Sequence, residues 1–266
     1  MRWLVAMVLA MMVVAATGHV PAEATVSGED GLVAFVSDET GIPQLYVVEA
    51  DGSGRRQITE FDDDLARFSS WSLSWSPDGA ALAFDTGSLD SIYPSGVWLV
   101  NVDGTGLEFI TSGAFASWSP DGTELAYSKS AIGQVNGLAT SVIATIDLAS
   151  GAETVVTDPG DWEHPSGNGQ TTRDRSPVWA PDGSSIFFLR HSPGSASISS
   201  DRVLELDLSD GSVTSAGAGG GNIDGFDVGP DGDVLIHNTA MITSPWGSPY
   251  LTEVDVAADG TPQLSL

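Results

Sequence analysis

The chain of 266 residues carries 36 acidic against 9 basic side chains, a formal net charge of −27 and a pI near 4.1, which excludes a nucleic-acid binder working through a basic face. With 41% hydrophobic and only 17% charged residues it is too apolar for a disordered acidic tail and has enough apolar mass to form a core. It contains no cysteine, so disulfides, thiolate zinc sites and cysteine nucleophiles are excluded too, while 31 Gly, 14 Pro and eight Trp point to an all-β chain of short strands and tight turns.

In chain order, Arg2 is followed by an apolar run from Trp3 to Ala16 and then by the small-x-small triplet Ala22-Glu23-Ala24. This pattern predicts a secretory signal peptide cut after Ala24. Fourteen residues would span only about 21 Å as a helix, short of a hydrocarbon core of about 30 Å, so a membrane anchor is the poorer reading. The expected product is a single domain, residues 25–266, exported to the periplasm or the extracellular space, with no membrane span after cleavage.

Leu32 to Thr59 forms the first unit: Val33-Ala34-Phe35, then Leu45 to Val48, the turn Asp51-Gly52 and Ile58-Thr59. The next four units open on Trp75-Ser-Pro-Asp-Gly79, Trp118-Ser-Pro-Asp-Gly122, Trp179-Ala-Pro-Asp-Gly183 and the degenerate Val228-Gly-Pro-Asp-Gly232. Their prolines recur at intervals of 43, 61 and 49 residues, near the blade period of a propeller. After each Gly come a short strand such as Leu82-Ala83-Phe84, a variable loop, a second strand, a turn at Asp103-Gly104, Ser150-Gly151, Asp210-Gly211 or Asp259-Gly260, and a last strand. Such units bury both faces only by packing on one another around an axis. The expected fold is therefore an all-β propeller of about five four-stranded antiparallel blades, the first lacking its opening strand. Ring closure is then expected from Thr25 to Asp30, or else from packing alone.

The Trp-Ser-Pro-Asp-Gly turn, the Leu-Ala-Phe strand after it, and Leu45-Tyr46-Val47-Val48 running into Ala50-Asp51-Gly52 and Ile58-Thr59 resemble the repeats of the TolB-type propeller family over Leu32 to Leu266. The resemblance implies the fold. Family members with an N-terminal α/β domain and six blades differ from this chain, in which seven residues separate Ala24 from Leu32, so the family's cell-envelope partners do not transfer. Similar repeats occur in the propeller domains of prolyl-oligopeptidase-like peptidases and in polysaccharide-degrading enzymes.

Asp78, Asp121, Asp182 and Asp231 recur at one position, but Pro-Asp-Gly is turn chemistry rather than a ring of metal ligands. Trp75, Trp118 and Trp179 are expected in the inter-blade core, and Trp71, Trp162 and Trp246, outside that register, at the surface. His237 takes the place of Phe84, Tyr127 and Phe188 and is expected to replace a core aromatic. The longest insertion, Asp158 to Pro177, holds Trp162, His164, Arg173 and Arg175, the candidate binding residues. No cofactor is expected; the only metal considered is Ca²⁺, which Asp224, Asp227, Asp231 and Asp233 with Asn222, or the run Asp62-Asp63-Asp64, would offer oxygens without completing a calcium-loop pattern. No catalytic residue is assigned, since no Gly-x-Ser-x-Gly elbow occurs. Two functions follow: a non-catalytic module binding a protein or an envelope glycan, or a propeller lyase or hydrolase acting on a polysaccharide, which would need His191, His237, Arg173 and Arg190 to converge at one end of the axis.

Overall fold

The computed structural model describes residues 31–61, 72–86, 96–132, 139–158, 172–192, 200–217, 223, 225–243, 249–256 and 262–263. The leader, Asn222 and Asp224, the Asp62–Asp64 run, and Trp71, Trp162, His164 and Trp246 lie outside these residues.

The described strands form five sheets. Blade one has three, β1 (Leu32–Ser37), β2 (Gln44–Glu49) and β3 (Arg56–Gln57). Blade two comprises β4 (Leu73–Trp75), β5 (Ala81–Thr86), β6 (Gly96–Asn101) and β7 (Glu108–Ser112). Blade three follows with β8 (Ala114–Trp118), β9 (Glu124–Ile132), β10 (Ala139–Asp147) and β11 (Glu153–Val155). Blade four holds β12 (Arg173–Trp179), β13 (Ser185–Ser192), β14 (Ser200–Asp207) and β15 (Val213–Ser215). Blade five holds β16 (Gly225–Val228), β17 (Val234–Thr243), β18 (Pro249–Val256) and β19 (Pro262–Gln263). Neighbouring strands in each sheet are antiparallel and consecutive in sequence.

The turns work as their residues dictate. The carboxylate of Asp121 accepts the Ser119 hydroxyl at 2.7 Å and the Thr123 amide at 3.0 Å. Gly122 then takes φ 72° and donates its amide to the Ser119 carbonyl at 2.9 Å. Asp78 accepts the Ser76 hydroxyl at 2.6 Å and Asp182 the Ser184 amide at 2.9 Å, and in all three turns these bonds hold the carboxyl below its ordinary pKa. These three aspartates are thus consumed by their own turns.

The core lies between blades. Leu45, Val47, Ile58 and Phe61 of blade one pack on Leu73, Leu82, Phe84 and Val100 of blade two, and like clusters join blades two and three, three and four, and four and five. Phe84, Tyr127 and Phe188, each five residues after the turn glycine, are fully buried; truncating one to alanine would cost on the order of 3–5 kcal/mol. Trp75 and Trp118 flank these clusters and Trp179 is inside one. Strands β4, β8, β12 and β16 touch in succession and so face the axis, while β3, β11 and β15 are exposed. Because strands alternate in direction, the described Pro-Asp-Gly and Asp-Gly turns fall at one end of the ring. The longer connections from β5 to β6, β9 to β10, β11 to β12 and β13 to β14 leave from the other, the insertion end.

Candidate binding site at the insertion end of blade four

Arg173 and Arg175 were expected within a loop running from Asp158 to Pro177, but they belong to β12, the inner strand of blade four. The ladder pairs Arg173 with His191, Asp174 with Arg190 and Arg175 with Leu189, so the loop ends before Arg173. Aligned on the tryptophans, Arg175 stands at the position of Ala114, the first residue of β8, so β12 starts two residues earlier than its counterpart.

Alternation along β13 separates neighbouring side chains. Arg190 lies on the side facing blade three, its guanidinium 5.4 Å from the Phe188 ring. It holds the wholly buried Asp174 through two bonds of 2.7 Å, from Nε to Oδ1 and from Nη2 to Oδ2, the fork geometry in which arginine binds carboxylate best. The Ser141 hydroxyl of blade three donates to the Asp174 carbonyl at 2.7 Å and ties the pair to its neighbour. His191 lies on the other side, facing blade five. Its Nδ1 is 2.6 Å from Oδ1 of Asp201, which is itself buried. A carboxylate partner requires Nδ1 to carry the hydrogen, leaving Nε2 on the outer side of the ring. Oδ2 of Asp201 accepts the Ile223 amide at 3.0 Å and stands 3.5 Å from Nη2 of Arg175, while Nε of Arg175 is buried without a hydrogen-bond partner.

Asp174 and Asp201, the carboxylates that organise this end, were not among the expected site residues. Charged side chains alternating through strand-length segments, in Arg173-Asp-Arg175 and Asp201-Arg202, were the available signal. A third buried carboxylate, Asp85 in blade two, accepts amides from Ser72 at 2.6 Å and Phe115 at 2.9 Å; burial pushes its pKa up to about 7.

The enzyme reading needed Arg173, Arg190, His191 and His237 to meet. Arg190 and His191 lie on opposite sides of one sheet, each bound to its own aspartate. His237 stands on β17 opposite Gly225, in another blade. Among the described residues no group of three or more His and acidic side chains is close enough to hold a metal ion. Asp227 sits on β16 opposite Leu235, and Asp231 lines a cleft of about 330 Å³ at the turn end with Asp182 and Glu205. Among the described residues no helix is long and apolar enough to cross a membrane.

No protein-family model matches the chain, and no curated protein matches it. Solved structures do. TolB from Acinetobacter baumannii superposes with a TM-score of 0.59 at 21% identity, over 89% of this chain and 53% of its own. A TolB from Agrobacterium tumefaciens gives 0.56 at 19%, over 77% of this chain and 69% of its own. Oligogalacturonate lyase from Vibrio parahaemolyticus gives 0.50 at 11%, over 88% and 73%. The chain spans about half the length of the Acinetobacter protein. At these identities the likeness is one of fold: the chain has the TolB-type propeller fold.

Proposed function

We propose that this chain is an exported, non-catalytic binding module that engages a protein or cell-envelope glycan partner through the insertion end of its ring. The observation that carries this reading is the opposed placement of Arg190 and His191, each engaged by a buried carboxylate on its own side of blade four. Side chains held in this way shape a surface, whereas general acid–base work requires them to converge on one reacting atom. The repeat residues are spent on turns and inter-blade core, which leaves recognition to the long connections at one end. Export rests on the leader pattern ahead of Thr25.

The test uses the full chain, expressed with its own leader and purified. Residues 133–138, between β9 and β10, or 193–199, between β13 and β14, are replaced by Gly-Ser linkers of equal length, and in a separate variant Asp103 at the turn end is replaced by Asn. Capture of one reproducible partner from an envelope fraction should be lost in the first two variants and kept in the third. Equal capture by all three would overturn the assignment of the binding end. Steady release of an unsaturated product, absorbing in the ultraviolet, from an acidic polysaccharide would overturn the non-catalytic reading.

A further inference from the structure

The repeat supplies an internal control for the charged end of blade four. Aligned on Trp118 and Trp179, and on the same bulge in β8 and β12, the positions of Asp174, Arg175, Arg190, His191, Asp201 and Arg202 correspond in blade three to Gly113, Ala114, Lys129, Ser130, Ser141 and Val142. Six ionisable side chains stand where blade three needs one. Blade three makes the same sheet and bulge without them, so the fold does not demand them.

Nor are they self-sufficient. Four of the nine basic residues of a chain with net charge −27 are at this end, and Arg190 and Arg202 are direct cross-strand partners, a like-charge arrangement that disfavours the sheet. On the side facing blade five, Arg175 and His191 share one buried carboxylate, Asp201. Asp174 is saturated by Arg190. Asp201 is shared by His191, the Ile223 amide and, at 3.5 Å, Arg175, so Arg175 is underused: 37% exposed, with a long contact to its acid and an unpaired Nε. His191, 26% exposed on the same side of the blade, has Nδ1 occupied.

We propose that Arg175, with His191 beside it, forms a recognition site for a singly charged carboxylate on the side of blade four that faces blade five. An arginine fork matches the two oxygens of a carboxylate. A polyanion is disfavoured because the field of the whole chain repels it at long range. The site lies on the end assigned to partner binding and deepens that reading. The carboxylate would come from an acidic sugar or from a peptide C-terminus.

The experiment follows the His191 imidazole resonances of the full chain by NMR, assigned with His191→Gln, during titration with sodium acetate, glucuronate, N-acetylalanine and, as the ionic control, sodium chloride. The carboxylates should give a saturable shift that chloride does not reproduce, weakened about tenfold or more in Arg175→Gln. Arg175→Lys, which keeps the charge and loses the fork, should be weakened as well, while Arg56→Gln, a charge change at the turn end, should bind as wild type. Tighter binding of glucuronate than acetate would point to a sugar ligand, and tighter binding of N-acetylalanine to a peptide terminus. Absence of a saturable shift, an equal response to chloride, or unchanged affinity in both folded Arg175 variants would overturn the site. If partner capture nevertheless persisted and depended on residues 193–199, the carboxylate site alone would fail and the binding-module reading would stand.

Discussion

The Asp85 carboxylate, 1% exposed, accepts the amide of Phe115 at 2.9 Å across the junction of blades two and three, and Phe115 has φ 57°. A left-handed phenylalanine is costly unless its surroundings hold it. At the equivalent junction of blades three and four, the hydroxyl of Ser128 accepts the amide of Ser176, which has φ 53°. Both acceptors stand one residue after the buried aromatic of their blade, and both meet the next blade at its bulge. The bulge, and with it the aim of each inner strand, is set by the preceding blade.

A neutral hydroxyl performs at Ser128 what a carboxyl performs at Asp85, and this makes the charge of Asp85 separable from its role. Its pKa is raised from 3.8 in the unfolded chain to about 7. Between those values the native state binds more protons than the unfolded state, so its contribution to stability is complete below about pH 4 and declines as pH rises to about 7. Asp85→Ser should remove that decline. Urea midpoints at about pH 5 and pH 8, read as the difference between wild type and variant, check it; a wild-type fall no steeper than that of the variant would refute the assignment.

The Asp174–Arg190 pair predicts a non-additive cycle. Removing one partner alone, by Asp174→Ala or Arg190→Met, should cost on the order of 3–5 kcal/mol because a buried charge is left uncompensated, whereas the double variant should recover much of the loss. Denaturant unfolding of the four proteins measures the coupling. Additive single losses would mean that the pair is not a unit.

Gly122 tests the turn. Its φ is 72° and the nearest atoms a Cβ would meet are those of the Pro77 ring at 3.7 and 3.9 Å, so space is available and only the dihedral resists substitution. Gly122→Val should lower stability by about 1–3 kcal/mol. Gly225→Ala, with no atom within 4 Å of its Cβ and no positive φ, should be close to neutral. Melting temperatures of the two variants, compared with wild type, read the dihedral strain at Gly122 against an unstrained site.

The net charge of −27 predicts a salt response. Turn aspartates such as Asp51, Asp103 and Asp210 are exposed, and like charges at this density destabilise the compact state. The Debye length falls from about 30 Å at 0.01 M to about 3 Å at 1 M salt, so the melting temperature should rise with NaCl across that range. A flat or falling midpoint would show that repulsion contributes little.

The strands and turns were legible in the sequence because each is a local device. Pro-Asp-Gly specifies its own reversal through bonds between residues two to five apart, such as Asp121 with Ser119 and Thr123, and the Leu-Ala-Phe segments specify burial on both faces of a packed sheet. Repetition of these devices then implied five blades and the place of the aromatics. What stayed hidden was the pairing between distant segments. Arg173 and Arg175 read as loop because a long insertion precedes them, yet ladder bonds to β13 draw them into strand. Asp174, Asp201 and Asp85 read as ordinary acids in an acidic chain, and only tertiary structure buries them, because burial of a carboxylate depends on which arginine, histidine or backbone amide the neighbouring strand or blade brings to it.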